Sequence, residues 1–234
     1  MNPYPIGLQP RCFALVPAAG IGARSGAAGP KQYVPIAGQA MMAHTLAALA
    51  AVPRIESTLV VLSPEDDQFE VAVPSFSGWT ARCGGASRAE TVANGLAELT
   101  ARGAQPHDWV LVHDAARCLV QPEWIDKLID ECGEDEVGGL LAFPLPDTLK
   151  QSAEGRVAAT VDRSGKWAAQ MPQMFRVGLL RPALAAVGAT ATDEASAVEA
   201  LGHAPLLVEA PMENFKVTWP ADFALAERLL KTRA

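Results

Sequence analysis

The sequence CFALVPAAGIGARSGAAGPKQ, residues 12–32, joins a short apolar run to a long loop of small residues. Residues 12–16 have the composition of a buried β-strand. In the loop that follows, residues 17–32, glycine and alanine dominate and the only charged side chains are Arg24 and Lys31. Small residues let backbone N–H groups surround an anion, and two cations neutralise phosphate charge. This segment therefore predicts a strand followed by a triphosphate-binding loop.

Two other phosphate-binding motifs do not match this loop. A Walker A motif needs Gly-Lys followed by Ser or Thr, whereas Lys31 lies between Pro30 and Gln32. A dinucleotide fingerprint needs a small residue at its last position and an acid about 20 residues later, and residues 20–25 meet neither condition. A flexible surface loop is the remaining alternative, but loops of this length are uncommon in compact domains unless they are functional.

Strand patterns and helix patterns alternate along the chain. Strands are predicted at residues 12–16, 57–62, 109–113, 137–143 and 206–209, and helices at residues 41–52, 87–100, 122–132, 176–187, 193–201 and 220–230. This alternation predicts an α/β fold with a mostly parallel sheet and helices on both faces. Because ligands bind beyond the carboxyl ends of such strands, we expect the functional residues in the loops that follow them.

Residues 144–172 interrupt the alternation. They contain turn residues and short alternating stretches, with too little apolar content for a core βαβ unit. We interpret this segment as a β-hairpin arm that protrudes from a single domain spanning residues 1–234. A protruding arm has to bury its apolar side chains somewhere, and a symmetric partner is the simplest place. A homodimer is therefore expected.

The composition excludes several classes of protein. Half of the residues are hydrophobic and 19% are charged, as in a globular fold. A net charge of −7 argues against a surface made for nucleic acid or for an anionic membrane. The sequence has no apolar run of membrane-spanning length and no signal-peptide pattern at its start, so we expect a cytoplasmic protein. The four cysteines lie far apart without metal-ligand spacing, and we expect reduced thiols.

Five motifs occur in an order that resembles a known enzyme family. They are the N-terminal loop, HDAAR at residues 113–117, TVDR at residues 160–163, TDEASA at residues 192–197 and NFKVT at residues 214–218. Together they resemble the 2-C-methyl-D-erythritol 4-phosphate cytidylyltransferases over nearly the whole chain. The resemblance implies a Rossmann-like domain with a dimerisation arm. It also implies a transferase that moves CMP from CTP to 2-C-methyl-D-erythritol 4-phosphate in non-mevalonate isoprenoid synthesis.

The resemblance also implies which cations would act in catalysis. Arg24 and Lys31 would stabilise the pentacovalent phosphorus, and Lys216 would reach the same α-phosphate from the C-terminal half of the chain. An acceptor phosphate is largely dianionic near neutral pH, so the reaction requires no general base. The alternative for each residue is an ordinary solvated cation, and Lys216 could equally lie at the end of a strand.

Asp114 is the candidate metal ligand. It ends the strand pattern at residues 109–113, so its carboxylate is expected at the ligand-binding edge of the sheet. Mg²⁺ prefers oxygen ligands and bridges to substrate phosphates, so one carboxylate beside a triphosphate is sufficient. The alternative is a turn cap. Arg117 is expected either to pair with Asp114 or to hold substrate, and His113 is interpreted as structural.

The remaining site residues follow from the family match. Contacts to the nucleotide are implied at Ala18, Ala19, Gly20, Gly84, Gly85, Thr91, Asp114 and Ala115. Arg163 and Thr192 would hold the acceptor phosphate, with Arg163 coming from the arm of the neighbouring subunit, and Arg117 is the third candidate for substrate binding. Ser87 opens a helical pattern with Glu90 at capping-box spacing, so the segment that contains Gly84 and Gly85 must also turn into a helix.

Two alternative functions remain open from the sequence. Met171 occupies a position where the family commonly has Thr, and a thioether cannot donate a hydrogen bond to phosphate. A related cytidylyltransferase that acts on another polyol phosphate, such as ribitol 5-phosphate, is therefore one alternative. The other is a nucleotide-binding module without catalytic activity.

Overall fold

The computed structural model describes residues 9–20 and 29–233. Within them the strands are β1 (Cys12–Pro17), β2 (Pro35–Ile36), β3 (Gln39–Ala40), β4 (Ile55–Val61), β5 (Trp79–Ala81), β6 (Trp109–Val112), β7 (Gly138–Pro144), β8 (Leu149–Ala153), β9 (Arg156–Val161), β10 (Trp167–Arg176) and β11 (Leu206–Glu209). The helices are α1 (Met41–Ala50), α2 (Phe69–Ala72), α3 (Arg88–Ala101), α4 (Pro122–Cys132), α5 (Val177–Val187), α6 (Glu194–Glu199) and α7 (Pro220–Thr232), with short 3-10 turns at Lys31–Tyr33 and Gly188–Thr190.

A seven-stranded sheet forms the centre of the molecule, in the order β11-β7-β10-β6-β1-β4-β5. Strand β1 pairs in parallel with β4 on one side and with β6 on the other. The carboxyl ends of these three strands therefore meet at one edge of the sheet, and the loops after them lie side by side. The predicted mostly parallel sheet is confirmed, with β10 as an antiparallel strand between β6 and β7.

Helices cover both faces of the sheet, as predicted. Successive side chains of a strand point to opposite faces, and β1 is buried on both. Ala14 and Val16 pack with α1 and α4 in one hydrophobic cluster. Phe13 and Leu15 pack with α3, α5 and α6 in another. A strand with two buried faces needs an unbroken apolar sequence, and CFALV provides it.

Strand β10 differs from the sequence-based prediction. The predicted excursion at residues 144–172 includes the first part of β10, which is a core strand rather than part of an arm. Its sequence has no continuous apolar pattern, because two polar residues, Gln170 and Gln173, occupy buried positions in this strand. Gln173 donates to Asp193 Oδ2 at 2.9 Å and accepts from the backbone N–H of Ala195 at 2.7 Å. Hydrogen bonds of this kind make a buried amide tolerable in a core strand.

The hairpin itself consists of β8 and β9, which pair only with each other in a separate two-stranded sheet. Nearly all of its residues are exposed, and Val157 retains 66% of its accessible surface. The hairpin predicted from the sequence is therefore present, with shorter bounds than the predicted segment.

Among the described residues, no helix has the length and apolar character needed to cross a membrane. All four cysteines are free thiols, and Cys12, Cys118 and Cys132 are buried.

Candidate active site

A cleft of about 510 Å³ opens at the carboxyl ends of β1 and β6, beside the start of α3. Residues predicted to bind the nucleotide or to act in catalysis line it, namely Ala18, Ala19, Gly20, Lys31, Gly85, Thr91, Asp114, Ala115 and Lys216. The side-chain amide of Gln32 donates to the carbonyl of Ala18 at 2.8 Å and closes the base of the loop after β1. The cleft lies where a parallel sheet is expected to bind its ligand.

Gly84 lies behind the cleft wall instead of lining it. Its N–H donates to the carbonyl of Leu62 at 2.8 Å. A Cβ atom at this position would collide with Cβ of Ala19 and would lie 2.8 Å from the Leu62 carbonyl oxygen. Glycine is therefore required for the close approach of two loops, and the predicted contact of Gly84 with the nucleotide stays a prediction.

The turn before α3 is held by its own hydrogen bonds. The N–H of Gly85 donates to Thr91 Oγ1 at 3.1 Å, and that hydroxyl donates to the carbonyl of Ser87 at 2.9 Å. Ser87 caps the helix by accepting from the N–H of Glu90, as its position in the sequence predicted. Helix α3 thus begins at the cleft, and the partial positive charge of its N-terminus favours phosphate there.

Asp114 lies at the centre of a cluster of cations. Its Oδ1 accepts from Arg88 Nε at 2.9 Å, and its Oδ2 accepts from Lys216 Nζ at 2.8 Å. Arg117 Nε lies 3.9 Å from Oδ2. Burial alone would raise the pKa of Asp114, but Arg88 and Lys216 outweigh it and hold this pKa well below its usual range. The carboxylate is therefore ionised at neutral pH.

The cations around Asp114 oppose its predicted role as a Mg²⁺ ligand. Both carboxylate oxygens already accept hydrogen bonds from cations, and a divalent ion would have to bind beside Arg88 and Lys216 against charge repulsion. Within residues 9–20 and 29–233, no group of three or more His, Cys, Asp or Glu side chains is placed to hold a metal ion. In the described structure this carboxylate binds Lys216.

One loop brings two distant lysines to the cleft. The N–H of Val217 donates to the carbonyl of Ala116 at 2.9 Å, which fixes the loop after β11 against the loop after β6. The carbonyl of Val217 accepts from Lys31 Nζ at 2.7 Å. Lys216, the residue before Val217, is about one-third exposed and lines the cleft. Lys216 thus belongs to the site and is not the strand-end residue of the alternative interpretation.

Arg117 and His113 support the walls of the site. Arg117 Nη1 donates to the carbonyl of Asn214 at 2.7 Å and so holds the loop that carries Lys216. His113 is fully buried, and its Nε2 lies 3.2 Å from the carbonyl oxygen of Arg117. Burial lowers the pKa of His113 to about 4, so the ring is neutral at physiological pH. A structural role for His113 agrees with this environment.

Two predicted residues, Arg163 and Thr192, do not line the cleft. Arg24 lies outside the described residues. Arg163 is exposed in the turn between β9 and β10. Thr192 is exposed just before Asp193, the N-cap of α6, and its hydroxyl donates to Ser196 Oγ at 3.2 Å. Their roles in catalysis or acceptor binding stay predictions.

Sequence reasoning missed two charged residues of the site, Arg88 and Glu194. Arg88 lines the cleft and contacts both oxygens of Glu194, through Nη1 at 2.7 Å and Nη2 at 3.1 Å. Glu194 is fully buried. The two residues lie 106 positions apart, so no local spacing identifies the pair. The motif TDEASA contained the only signal, an acid on the apolar side of a short helix.

Comparisons with known proteins show the family of this chain. The family model described as "IspD: 2-C-methyl-D-erythritol 4-phosphate cytidylyltransferase" matches residues 12–232. A 2-C-methyl-D-erythritol 4-phosphate cytidylyltransferase of Burkholderia cenocepacia is 50% identical over 231 residues, which cover 95% of this chain and 97% of the relative. A bifunctional enzyme IspD/IspF of Albidiferax ferrireducens is 58% identical over 96% of this chain, and the chain spans about half, 54%, of that relative's length.

Solved structures give the same result. The crystal structure of a 4-diphosphocytidyl-2C-methyl-D-erythritol synthase matches with a TM-score of 0.84 and 44% identity, over 95% of this chain and 100% of the other. The 2-C-methyl-D-erythritol 4-phosphate cytidylyltransferase of Thermus thermophilus matches with a TM-score of 0.79 and 31% identity, over 94% and 99% of the two chains. Sequence motifs, cleft and comparisons agree, and the chain belongs to the family of 2-C-methyl-D-erythritol 4-phosphate cytidylyltransferases.

Proposed function

We propose that this chain transfers CMP from CTP to 2-C-methyl-D-erythritol 4-phosphate. The products are pyrophosphate and 4-diphosphocytidyl-2-C-methyl-D-erythritol, an intermediate of non-mevalonate isoprenoid synthesis. The observation that carries the proposal is the convergence of Lys31 and Lys216 on one cleft, which also contains most of the residues predicted to bind the nucleotide. Family membership supports the identity of the acceptor.

The chemistry of the cleft suits this transfer. An oxygen of the acceptor phosphate forms a bond to the α-phosphorus of CTP while the bond from that phosphorus to the departing pyrophosphate breaks. The attacking phosphate is already deprotonated near neutral pH, so no base is needed. Asp114 is engaged by Arg88 and Lys216 and is not available as one. Lys31, Lys216 and Arg24 are proposed to stabilise the negative charge that develops around the phosphorus.

A divalent cation is proposed as the cofactor, with Mg²⁺ as the expected ion. Mg²⁺ commonly reaches phosphoryl-transfer sites on the phosphates of the substrate. Because Asp114 is already surrounded by cations, we expect phosphate oxygens and water, rather than this carboxylate, to be the ligands. A cytoplasmic location is the corresponding expectation for an enzyme that uses CTP, and it rests on the sequence.

We also propose a homodimer in which the β8–β9 hairpin packs against a second copy. The support is the exposure of the hairpin, including the apolar side chain of Val157. Arg163, next to the hairpin, is exposed and does not line the cleft of its own chain. It is proposed to reach the acceptor in the neighbouring subunit. Thr192 and Arg117 are proposed to complete the acceptor site.

The proposal is tested by measuring pyrophosphate release from CTP and Mg²⁺ with each of several acceptors. Turnover with 2-C-methyl-D-erythritol 4-phosphate is expected, and its absence would refute the assignment. Turnover with ribitol 5-phosphate alone would support the alternative acceptor that Met171 leaves open. Binding of CTP without pyrophosphate release from any acceptor would identify a non-catalytic module.

A further inference from the structure

We infer that Arg88 is a positioning residue for this reaction: held by Glu194, it orients Asp114 so that Asp114 fixes the ammonium group of Lys216 in the cleft. This inference rests on the proposed function, in which Lys216 acts on the α-phosphate. The four residues form a chain of alternating charge that begins in α6, passes through the first turn of α3 and ends in the loops after β6 and β11.

The geometry of Arg88 suits this role. Nη1 and Nη2 donate to the two oxygens of Glu194, and Nε donates to Oδ1 of Asp114 at 2.9 Å. A guanidinium group is planar, with donors in fixed directions, so binding one carboxylate by two donors fixes the direction of the third. Because Glu194 is fully buried at the start of α6, it gives the guanidinium a rigid support.

The two oxygens of Asp114 bind different partners, and this arrangement restrains Lys216. With Oδ1 bonded to Arg88, Oδ2 points to Lys216 Nζ at 2.8 Å. A lysine side chain is long and flexible, and it loses considerable rotamer entropy when it is held in one place. Lys216 is about one-third exposed, so packing alone does not restrain it. A fixed carboxylate oxygen provides the missing restraint.

Arg88→Lys would not reproduce this function. The lysine ammonium group is a single centre, and it cannot donate in parallel to both oxygens of Glu194 while also binding Asp114. Arg88→Lys keeps the positive charge between two buried carboxylates but loses the fixed direction. Comparison of Arg88→Lys with Arg88→Gln therefore separates the effect of charge from the effect of orientation.

The first test is a kinetic cycle with Arg88→Lys, Arg88→Gln, Lys216→Ala and the double variant Arg88→Gln/Lys216→Ala. We expect Arg88→Gln and Arg88→Lys to lower kcat by roughly 10- to 100-fold, with a much smaller change in KM for CTP. The double variant should have the kcat of Lys216→Ala, because Arg88 acts through Lys216. Multiplied losses in the double variant would instead mean that Arg88 acts directly on the substrate, and would overturn the inference.

Arg11→Gln is the matched control for loss of a partly buried ion pair. Arg11 Nη2 contacts Oδ2 of the buried Asp108 at 2.7 Å, at the opposite end of β1 from the cleft. This variant should lower the midpoint of thermal unfolding and leave kcat unchanged. If Arg88→Gln lowered the midpoint similarly and also left kcat unchanged, its role would be purely structural and the inference would be wrong.

A second test does not depend on the acceptor. Acetylation of lysines by an amine-reactive ester, followed by mass spectrometry, measures how well Lys216 is restrained. We expect Lys216 to react several times faster in Arg88→Gln and Arg88→Lys than in the wild type and in Arg11→Gln, while the exposed Lys231 keeps its rate. An unchanged rate at Lys216 would refute the inference. If the wild-type protein released no pyrophosphate, the proposed function would fail while this test of Arg88 still gave a result.

Discussion

Lys31 joins the N-terminal loop to the C-terminal part of the site through its bond to the carbonyl of Val217, 2.7 Å long. We expect Lys31→Ala to lower kcat by about 100- to 1000-fold, because removal of one donor to a developing oxyanion has an effect of this size. Lys127→Ala is the matched control, since Lys127 also donates to a carbonyl, that of Glu209 at 2.8 Å, outside the cleft. Steady-state pyrophosphate release measures both. Equal kcat values for Lys31→Ala and Lys127→Ala would show that Lys31 takes no part in catalysis.

The buried residue His113 makes the free energy of unfolding depend on pH. Burial lowers the pKa of His113 from 6.5 to about 4. As the pH falls, the unfolded chain therefore binds a proton at this residue at a higher pH than the folded chain does. The free energy of unfolding should therefore fall as pH decreases from about 6.5 to about 4, by roughly 3 kcal/mol at most from this group. Urea unfolding at about pH 7 and about pH 5 measures the loss, and His113→Asn should reduce its size. An unchanged pH dependence in the variant would contradict this explanation.

At the scale of elements, the loops after β1 and β5 are packed too closely for any residue but glycine at position 84. We expect Gly84→Ala to displace one of these loops, with a loss of about 1–3 kcal/mol in the free energy of unfolding and a lower kcat/KM for CTP. Adding Ala19→Gly removes one of the two clashes and should restore part of the loss. Denaturant unfolding and steady-state kinetics test both variants, and full activity in Gly84→Ala would disprove the packing role.

The sequence predicted those elements whose burial is visible in their own residues. Strand β1 is apolar throughout because both of its faces are covered, and β6 follows the same rule. Strand β10 escaped prediction because Gln170 and Gln173 are stabilised by partners distant in sequence. The pair of Arg88 and Glu194 escaped for the same reason. Motifs located the site, but contacts across the fold determine which charges meet there.

At the scale of the whole molecule, the proposed dimer places Arg163 and Lys31 of one active site on different subunits. Arg163→Gln and Lys31→Ala homodimers should each be strongly impaired. After the two variants are unfolded and refolded together, about a quarter of the wild-type activity should return, because half of the dimers are mixed and each mixed dimer has one intact site. Recovery is measured as pyrophosphate release. No recovery from a sample shown to contain mixed dimers would place Arg163 in its own subunit's site.

The contact of Lys31 with Val217 also bears on when activity is acquired during synthesis. The ribosome adds the partner carbonyl 186 residues after the lysine, and Lys216 is made just before it. A nascent chain that has already formed β1, β4 and β6 still lacks one side of the pocket. In the proposed mechanism the pocket is therefore complete only after residue 217 has been added, and a product truncated before Lys216 would be inert even if it retained most of the sheet.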